Sequence, residues 1–291
     1  MSRNIVKAKL DVIFKKLFTE HEDLLRDFIS EMLDIPSEKI KDIVVTNPEL
    51  PPETITGKFS RLDLKLQTDE QLINVEIQVR NDPDYRDRTL FYWSKLYTSE
   101  LKEGDEYGEL KKAIAVNIIN FNMFDTEDYH TEVQTTIKET GEVFSDKFSI
   151  HFFELKKVGK KVDPNNRKTL WLQFINAESE EELEMIKNTD VPVMKDAVRV
   201  IYDMSDDTRI KEIARLREKA MHDEASALGN ARREGIEEGR AEGRAEGRAE
   251  GRAEGRAEGR AEGIEEGMSK VIEKMRKSGI PEEQIEQILN N

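Results

Sequence analysis

Three observations in the amino-acid sequence predict an α/β domain followed by a helical extension. Two runs of alternating apolar and polar residues flank a short polar turn, the pattern of a β-hairpin. A dense β-branched run, Ala113–Ile119, has the composition of a strand buried on both faces. Beyond Trp171 the apolar spacing becomes helical.

Taken in order, Leu24, Leu25, Phe28, Ile29, Met32 and Leu33 follow helical spacing from Asp23 to Leu33. Ile35-Pro36 ends that helix, because a residue before proline is pushed out of the helical region. Ile40, Ile43 and Val45 suggest a first strand, and Pro48, Pro51 and Pro52 then break regular structure. Phe59–Gln67 sets Leu62, Leu64 and Leu66 against Arg61, Asp63 and Lys65. Leu72–Arg80 sets Ile73, Val75, Ile77 and Val79 against Asn74, Glu76, Gln78 and Arg80, with Thr68-Asp69-Glu70-Gln71 as the turn between. Asn81-Asp82-Pro83-Asp84 starts a helix expected to reach about Leu101, carrying Leu90, Trp93, Tyr97 and Leu101 on one stripe. Thr131–Ile137 and Lys147–Leu155 read as strands around a Glu139–Glu142 turn, and helices are expected over roughly 179–188, 191–204 and 207–228.

Residues 235–267 differ from the rest. Glycine recurs every fourth residue from Gly235 to Gly267, and six consecutive GRAE tetrads begin at Gly239. Mid-helix glycine costs about 1 kcal/mol relative to alanine, and the tetrad stacks like charges at i,i+4. The tract therefore reads as a flexible or marginally helical tether, as a helix that associates with a second copy through its small Gly/Ala face, or as a segment with a dedicated ligand role. Met268–Leu289 regains apolar spacing and reads as a short helical hairpin. The expected divisions are 1–175, 176–234, 235–267 and 268–291.

Composition excludes several classes of function. The chain of 291 residues has 46 basic and 61 acidic side chains, a net charge of −15. Only 37% of residues are apolar, against the 45–50% typical of globular chains, so part of the chain is expected to lie outside a packed core. Residues 1–229 carry 34 basic and 46 acidic groups, or −12, which removes the global positive field of a nonspecific nucleic-acid binder. Contact with DNA then requires a local basic patch or a bound cation. The absence of cysteine excludes disulfides, thiolate catalysis and cysteine-based zinc sites, and the four histidines show no HExxH spacing. MSRNIVKAKLDVIFKKLF has no continuous signal-peptide core, and no run of about 18 apolar residues exists. The expectation is a cytoplasmic protein with no membrane span.

One constellation can carry chemistry. If the hairpin closes symmetrically on Asp69-Glu70, paired positions sum to 139, so Asp63 lies across from Glu76 and Arg61 from Gln78. Asp63, Glu76 and Gln78 then share one polar face. Carboxylates opposed at the Cβ separation of about 4.5–5.5 Å repel, and a hard divalent cation such as Mg²⁺ removes that penalty. The same alternation also describes a solvated sheet face neutralised by Arg61, Lys65 or Arg80.

The stretch RLDLKLQTDEQLINVEIQ resembles the PD-(D/E)XK nuclease core, with Asp63 as the D and Glu76-Ile77-Gln78 as an ExQ variant of (D/E)xK. With DVIFKKLF (residues 11–18) and RTLFYWSKLYTSELKEGDEYGELKKAIAVNI, it is similar to the PD-(D/E)XK nuclease-like transposase, or recombination-promoting nuclease, family over about residues 8–155. The resemblance implies a restriction-endonuclease-like core with a mixed sheet, followed by a helical C-terminal extension. It implies an Mg²⁺-dependent DNA endonuclease, with Mn²⁺ as a substitute ion and DNA as partner. Asp63, Glu76 and the Ile77 backbone carbonyl would hold the metal, with Gln78 in place of the usual lysine. Asp11 matches the family's opening DxxF pattern and is a candidate further acid; it reads equally as a first-turn acid of the Val12–Phe18 helix. Arg80, Arg86, Arg88 and Lys95 are candidate DNA-phosphate contacts, or a solvated basic face. Trp93 and Tyr97 are expected in the core, and His130 and His151 in structural roles.

Overall fold

The structure, a computed structural model, describes residues 3–45, 64–99, 101, 104 and 106–289. Its residues fall into two units, Met1–His222 and Asp223–Asn291. The strands are β1 (Ile40–Val45), β2 (Leu64–Thr68), β3 (Gln71–Gln78), β4 (Lys112–Ile119), β5 (His130–Thr136) and β6 (Val143–Glu154). The helices are α1 (Asp11–Glu20), α2 (Glu22–Leu33), α3 (Tyr85–Thr98), α4 (Arg167–Asn176), α5 (Glu180–Lys187), α6 (Pro192–Asp206), α7 (Thr208–Lys277) and α8 (Glu282–Leu289).

The alternation over residues 64–78 forms the expected antiparallel hairpin. Leu64 pairs with Val75, Lys65 with Asn74, Leu66 with Ile73 and Gln67 with Leu72, each pair summing to 139. Thr68 Oγ1 accepts from the Gln71 amide at 2.9 Å and the Glu70 amide at 3.3 Å, which fixes the turn. The beginning of the expected Phe59–Gln67 strand, with Arg61 and Asp63, lies outside the described residues, as do Pro48, Pro51 and Pro52.

The strands form one mixed sheet in the order β1-β2-β3-β4-β6-β5. β1 and β2 pair antiparallel, as do β2 and β3; β3, β4 and β6 are parallel, and β5 returns antiparallel to β6. Parallel strands require a crossover, and α3 supplies it between β3 and β4. This overturns the picture of Glu76 and its neighbours on a solvated face. Leu72 through Ile77 are all buried, because β3 has a strand on each side and α3 packs over the face that alternation alone leaves open.

The opposite face carries the main core. Ile73, Val75, Ile77, Ile114, Val116 and Ile118 pack with Phe14, Leu17, Phe18, Phe28 and Trp171. Helix α2 ends where the sequence places its stop: Asp34 takes the left-handed φ of 54°, and the Ile35 amide bonds back to Ser30 O at 3.1 Å. Helix α4 is additional to the helices read from spacing. Asn166 caps it through the Thr169 amide at 3.0 Å, and Trp171 donates to Asp27 at 2.8 Å.

Helix α3 buries Tyr85, Thr89 and Leu96, with Trp93 and Tyr97 packed beside them. Trp93 and Tyr97 thus belong to the core as expected. Leu90 does not share their stripe, because it stands one residue, about 100°, past Thr89 and is 48% exposed.

The helical extension of the first unit is bound to the chain's beginning. Ile5, Val6, Ala8 and Leu10 are buried, and the Val6 amide donates to Ser205 Oγ at 3.0 Å. Lys7 and Lys9 both meet Glu178. Burial raises the Glu178 carboxyl, but the hydrogen bonds from the two lysines outweigh it and hold the pKa below the ordinary value. Arg217 of α7 grips Asp11 of α1 through two of its guanidinium nitrogens, Nε to Oδ1 at 2.8 Å and Nη2 to Oδ2 at 2.7 Å.

The GRAE tract is helical throughout, within α7. Alanine, arginine and glutamate rank among the best helix formers, and they fill three of every four positions. Gly279, at a φ of 81°, turns the chain after α7, and α8 buries Ile285. No helix among the described residues is long and apolar enough to cross a membrane.

The Asp11–Arg217 pair is largely enclosed, with side-chain exposures of 18% and 15%. Arg217→Ala is expected to destabilise the first unit by about 1–3 kcal/mol, the cost of leaving a buried acceptor unsatisfied. Urea unfolding followed by tryptophan fluorescence measures this; a midpoint equal to wild type would show the pair to be without weight.

Candidate active site

Side chains alternate across a strand, so β3 and β4 divide their residues between two faces. The isoleucines and valines at 73, 75, 77, 114, 116 and 118 face the main core, leaving Asn74, Glu76, Gln78 and Asn117 on the α3 side. Glu76 pairs with Asn117 in the parallel register and is only 7% exposed. A carboxylate at that depth costs several kcal/mol unless a positive group or a hydrogen-bond network answers it.

Helix α3 supplies the answer. Arg88 brings Nη2 to 3.5 Å from Glu76 Oε1 and Nη1 to 3.2 Å from Asp82 Oδ2. Its guanidinium lies 4.9 Å from the centroid of the Tyr85 ring. Tyr85 donates its hydroxyl to Asn117 Oδ1 at 3.1 Å, and Asn117 donates to His151 O at 3.2 Å. Asp82 is the junction: it also accepts from Arg80 Nε at 2.9 Å and from Gln78 Nε2 at 3.0 Å. Gln78 Nε2 donates as well to Arg80 O at 2.9 Å, so its amide nitrogen holds the 78–82 turn.

The residues expected at a site from the sequence are therefore distributed in three ways. Glu76, Gln78, Arg80 and Arg88 come together around Asp82. Arg86 and Lys95 stay on the surface: Arg86 donates to Met123 O at 3.0 Å, and Lys95 lies over the Phe91 ring at 4.7 Å. Asp11 belongs to α1, whose core residues line the other face of the sheet, and its carboxylate is taken by Arg217. Arg88 is not part of an open basic face, since its side chain is only 20% exposed and directed at two acids.

Sequence reasoning missed Asp82, Tyr85 and Asn117. Asn117 carried a usable signal, being a lone polar residue in the β-branched run Ala113–Ile119. Asp82 was legible only as the opening of a helix. Asn74 is also buried on this face, and its Oδ1 has no hydrogen-bond partner among the described residues.

A second polar cluster occupies the core-side positions of β5 and β6. Ser149 Oγ lies 2.8 Å from His151 Nε2 and 2.9 Å from Glu132 Oε1, and His151 Nδ1 lies 2.9 Å from His130 Nε2. Burial pushes the His151 imidazole down to about 4, against the opposing pull of Glu132. Both histidines are thus hydrogen-bonded parts of the framework. Among the described residues no three His, Asp or Glu side chains form a group able to hold a metal.

A mixed sheet of this kind, with a Glu-x-Gln strand beneath its crossover helix and a long helical extension, defines an α/β protein of nuclease-like fold. The chain matches the model of the PD-(D/E)XK nuclease family transposase over residues 8–231 and belongs to that family. No curated protein and no solved structure matches it.

The depressed His151 pKa makes stability depend on pH. Above the ordinary value of 6.5 the imidazole is neutral in both states. As pH falls from there toward about 4, the unfolded chain takes up the proton and the folded chain does not, so stability is lost. Melting temperatures across that window are expected to fall more steeply for wild type than for His151→Gln; parallel curves would refute the assignment.

Proposed function

We propose that the protein is a divalent-metal-dependent DNA endonuclease, with Asp63, Glu76 and the Ile77 carbonyl as its metal ligands. The observation that carries this is Glu76, buried on a hairpin whose register holds over four successive pairs. Continuing that register by one pair would set Asp63 opposite Glu76. The donor set suits Mg²⁺, with Mn²⁺ as a substitute, since carboxylate, carbonyl and amide oxygens are hard ligands. Arg88, with its guanidinium 3.5 Å from Glu76, supports the same reading, because this buried position already calls for positive charge.

The ion, when bound, polarises the scissile phosphate and lowers the pKa of a coordinated water. The chain's own residues do the rest. Asp63 and Glu76 fix the position of charge, and Arg88 neutralises Glu76 and Asp82 in the metal-free protein. Gln78 cannot act as a base, and its amide nitrogen already serves the turn, so its oxygen is the group left to orient water. Arg86 and Lys95 keep exposed side chains and contact backbone phosphates, while Arg80, half-buried and paired with Asp82, contacts phosphate from the edge of the site. Asp11 fastens α7 to α1 instead of taking part in hydrolysis. The family's transposase description supports a setting in recombination or mobile elements, on DNA in the cytoplasm.

Plasmid incubated with Mg²⁺ or Mn²⁺ tests the proposal. Asp63→Ala and Glu76→Gln are expected to lower cleavage at least about 100-fold, as the loss of several kcal/mol of transition-state stabilisation requires. Cleavage equal to wild type removes these residues from the mechanism. Binding of metal and DNA with no turnover in the wild type would favour a regulatory module on the nuclease fold, a reading supported by the engagement of Gln78 in its own turn.

Self-association through the repeat has separate support. A Cβ at any of the repeat glycines from Gly235 to Gly267 would meet nothing within 4 Å among the described residues, so packing against those residues does not require them. Deleting residues 235–267 is expected to lower the number of chains per particle found by light scattering; an unchanged number of chains rules the role out.

A further inference from the structure

Two large apolar side chains stand open on α3, beside the proposed active site. Leu90 is 48% exposed and Phe91 is 51% exposed, in a helix whose other aromatic residues are packed inward or partly covered. Phe91 is neither a core residue nor an isolated one. Lys95 Nζ lies 4.7 Å from its ring centroid, and the Tyr92 ring meets it edge-on at 5.5 Å. Arg88, Phe91 and Lys95 are spaced i, i+3, i+7, so they follow one flank of the helix. That flank begins at the guanidinium in contact with Glu76 and runs on to the aromatic–ammonium pair.

We infer that Phe91, with Lys95, is a stacking platform for an unpaired nucleobase beside the scissile phosphate, and that single-stranded or splayed DNA is the preferred substrate. The inference rests on the nuclease reading and names its substrate class. A flat ring backed by an ammonium suits a base with its phosphate, because every base offers a π-face and every nucleotide a negative charge. Charge complementarity argues for that occupant over an apolar protein surface. Lys95, exposed and 4.7 Å from the Phe91 ring centroid, sets a positive charge at the ring in a chain whose net charge is −15. Position argues the same way, since the platform continues the flank that reaches Glu76. Bases within an intact duplex are already stacked on one another and present no free face to a ring on a helix surface.

The test separates binding from cleavage. Full-length protein in EDTA is titrated into a fluorescently labelled 20-nucleotide single strand and into the corresponding duplex, with anisotropy as readout. Wild type is expected to prefer the single strand. Phe91→Leu should weaken single-strand binding about 5- to 150-fold while leaving duplex binding unchanged, and Phe91→Trp should restore it. Equal single-strand affinity for Phe91→Leu and wild type overturns the platform. So does a loss of equal size on both substrates, or a wild-type preference for duplex. A change in the mass of Phe91→Leu by light scattering would assign the patch to a second copy and likewise overturn it. The nuclease reading fails separately: a protein that binds single strands through Phe91 but cleaves no DNA with Mg²⁺ or Mn²⁺ keeps the platform and loses the reaction.

Discussion

The crossover between two parallel strands governs the chemistry of this protein. Because α3 must bridge β3 and β4, it covers the face on which Glu76 and Asn117 lie side by side. A polar pair in that position has to be answered from the covering helix or be lost to desolvation. The answer is local: Tyr85 and Arg88 come from its first turn, and Asp82 from the turn preceding it. The candidate site is therefore an interior face that has been charged, rather than a surface that happens to be acidic.

The other face of the sheet gives that site a rigid back. Phe14, Phe18, Phe28 and Trp171 form a continuous set of ring contacts, with centroid separations from 4.8 to 6.2 Å. They tie α1, α2 and α4 into one apolar layer behind β3 and β4. Side chains aimed from such a layer lose little geometry to thermal motion, which a site requiring placement within about 0.5 Å needs. The N-terminal segment adds to it by threading Ile5, Val6 and Ala8 beneath the helices that come after the sheet.

Much of this could be seen in the sequence, and the parts that could not have identifiable causes. The hairpin register was legible because a symmetric turn over Asp69-Glu70 leaves one pairing that keeps the leucines and isoleucines on a common face. Burial of Ala113–Ile119 was legible from composition. The burial of Glu76 was not, because alternation in a single strand says nothing about which helix will cover the polar side. Leu90 was misplaced for a similar reason: the spacings of Trp93 and Tyr97 allow several stripes, and tertiary packing chose the one through Tyr85, Thr89 and Leu96. The pairing of Asp11 with Arg217 joins residues 206 apart, a separation at which local pattern carries no information.

The helical tetrad tract has a mechanical corollary. Four residues advance a helix by about 6 Å and turn it by about 400°, so each unit gained or lost shifts the downstream residues by that step and rotates them about 40°. The segment that closes with α8 would then be screwed around the axis, returning to its starting azimuth only after nine units, about 54 Å. Copy number along this rod would set direction as well as reach.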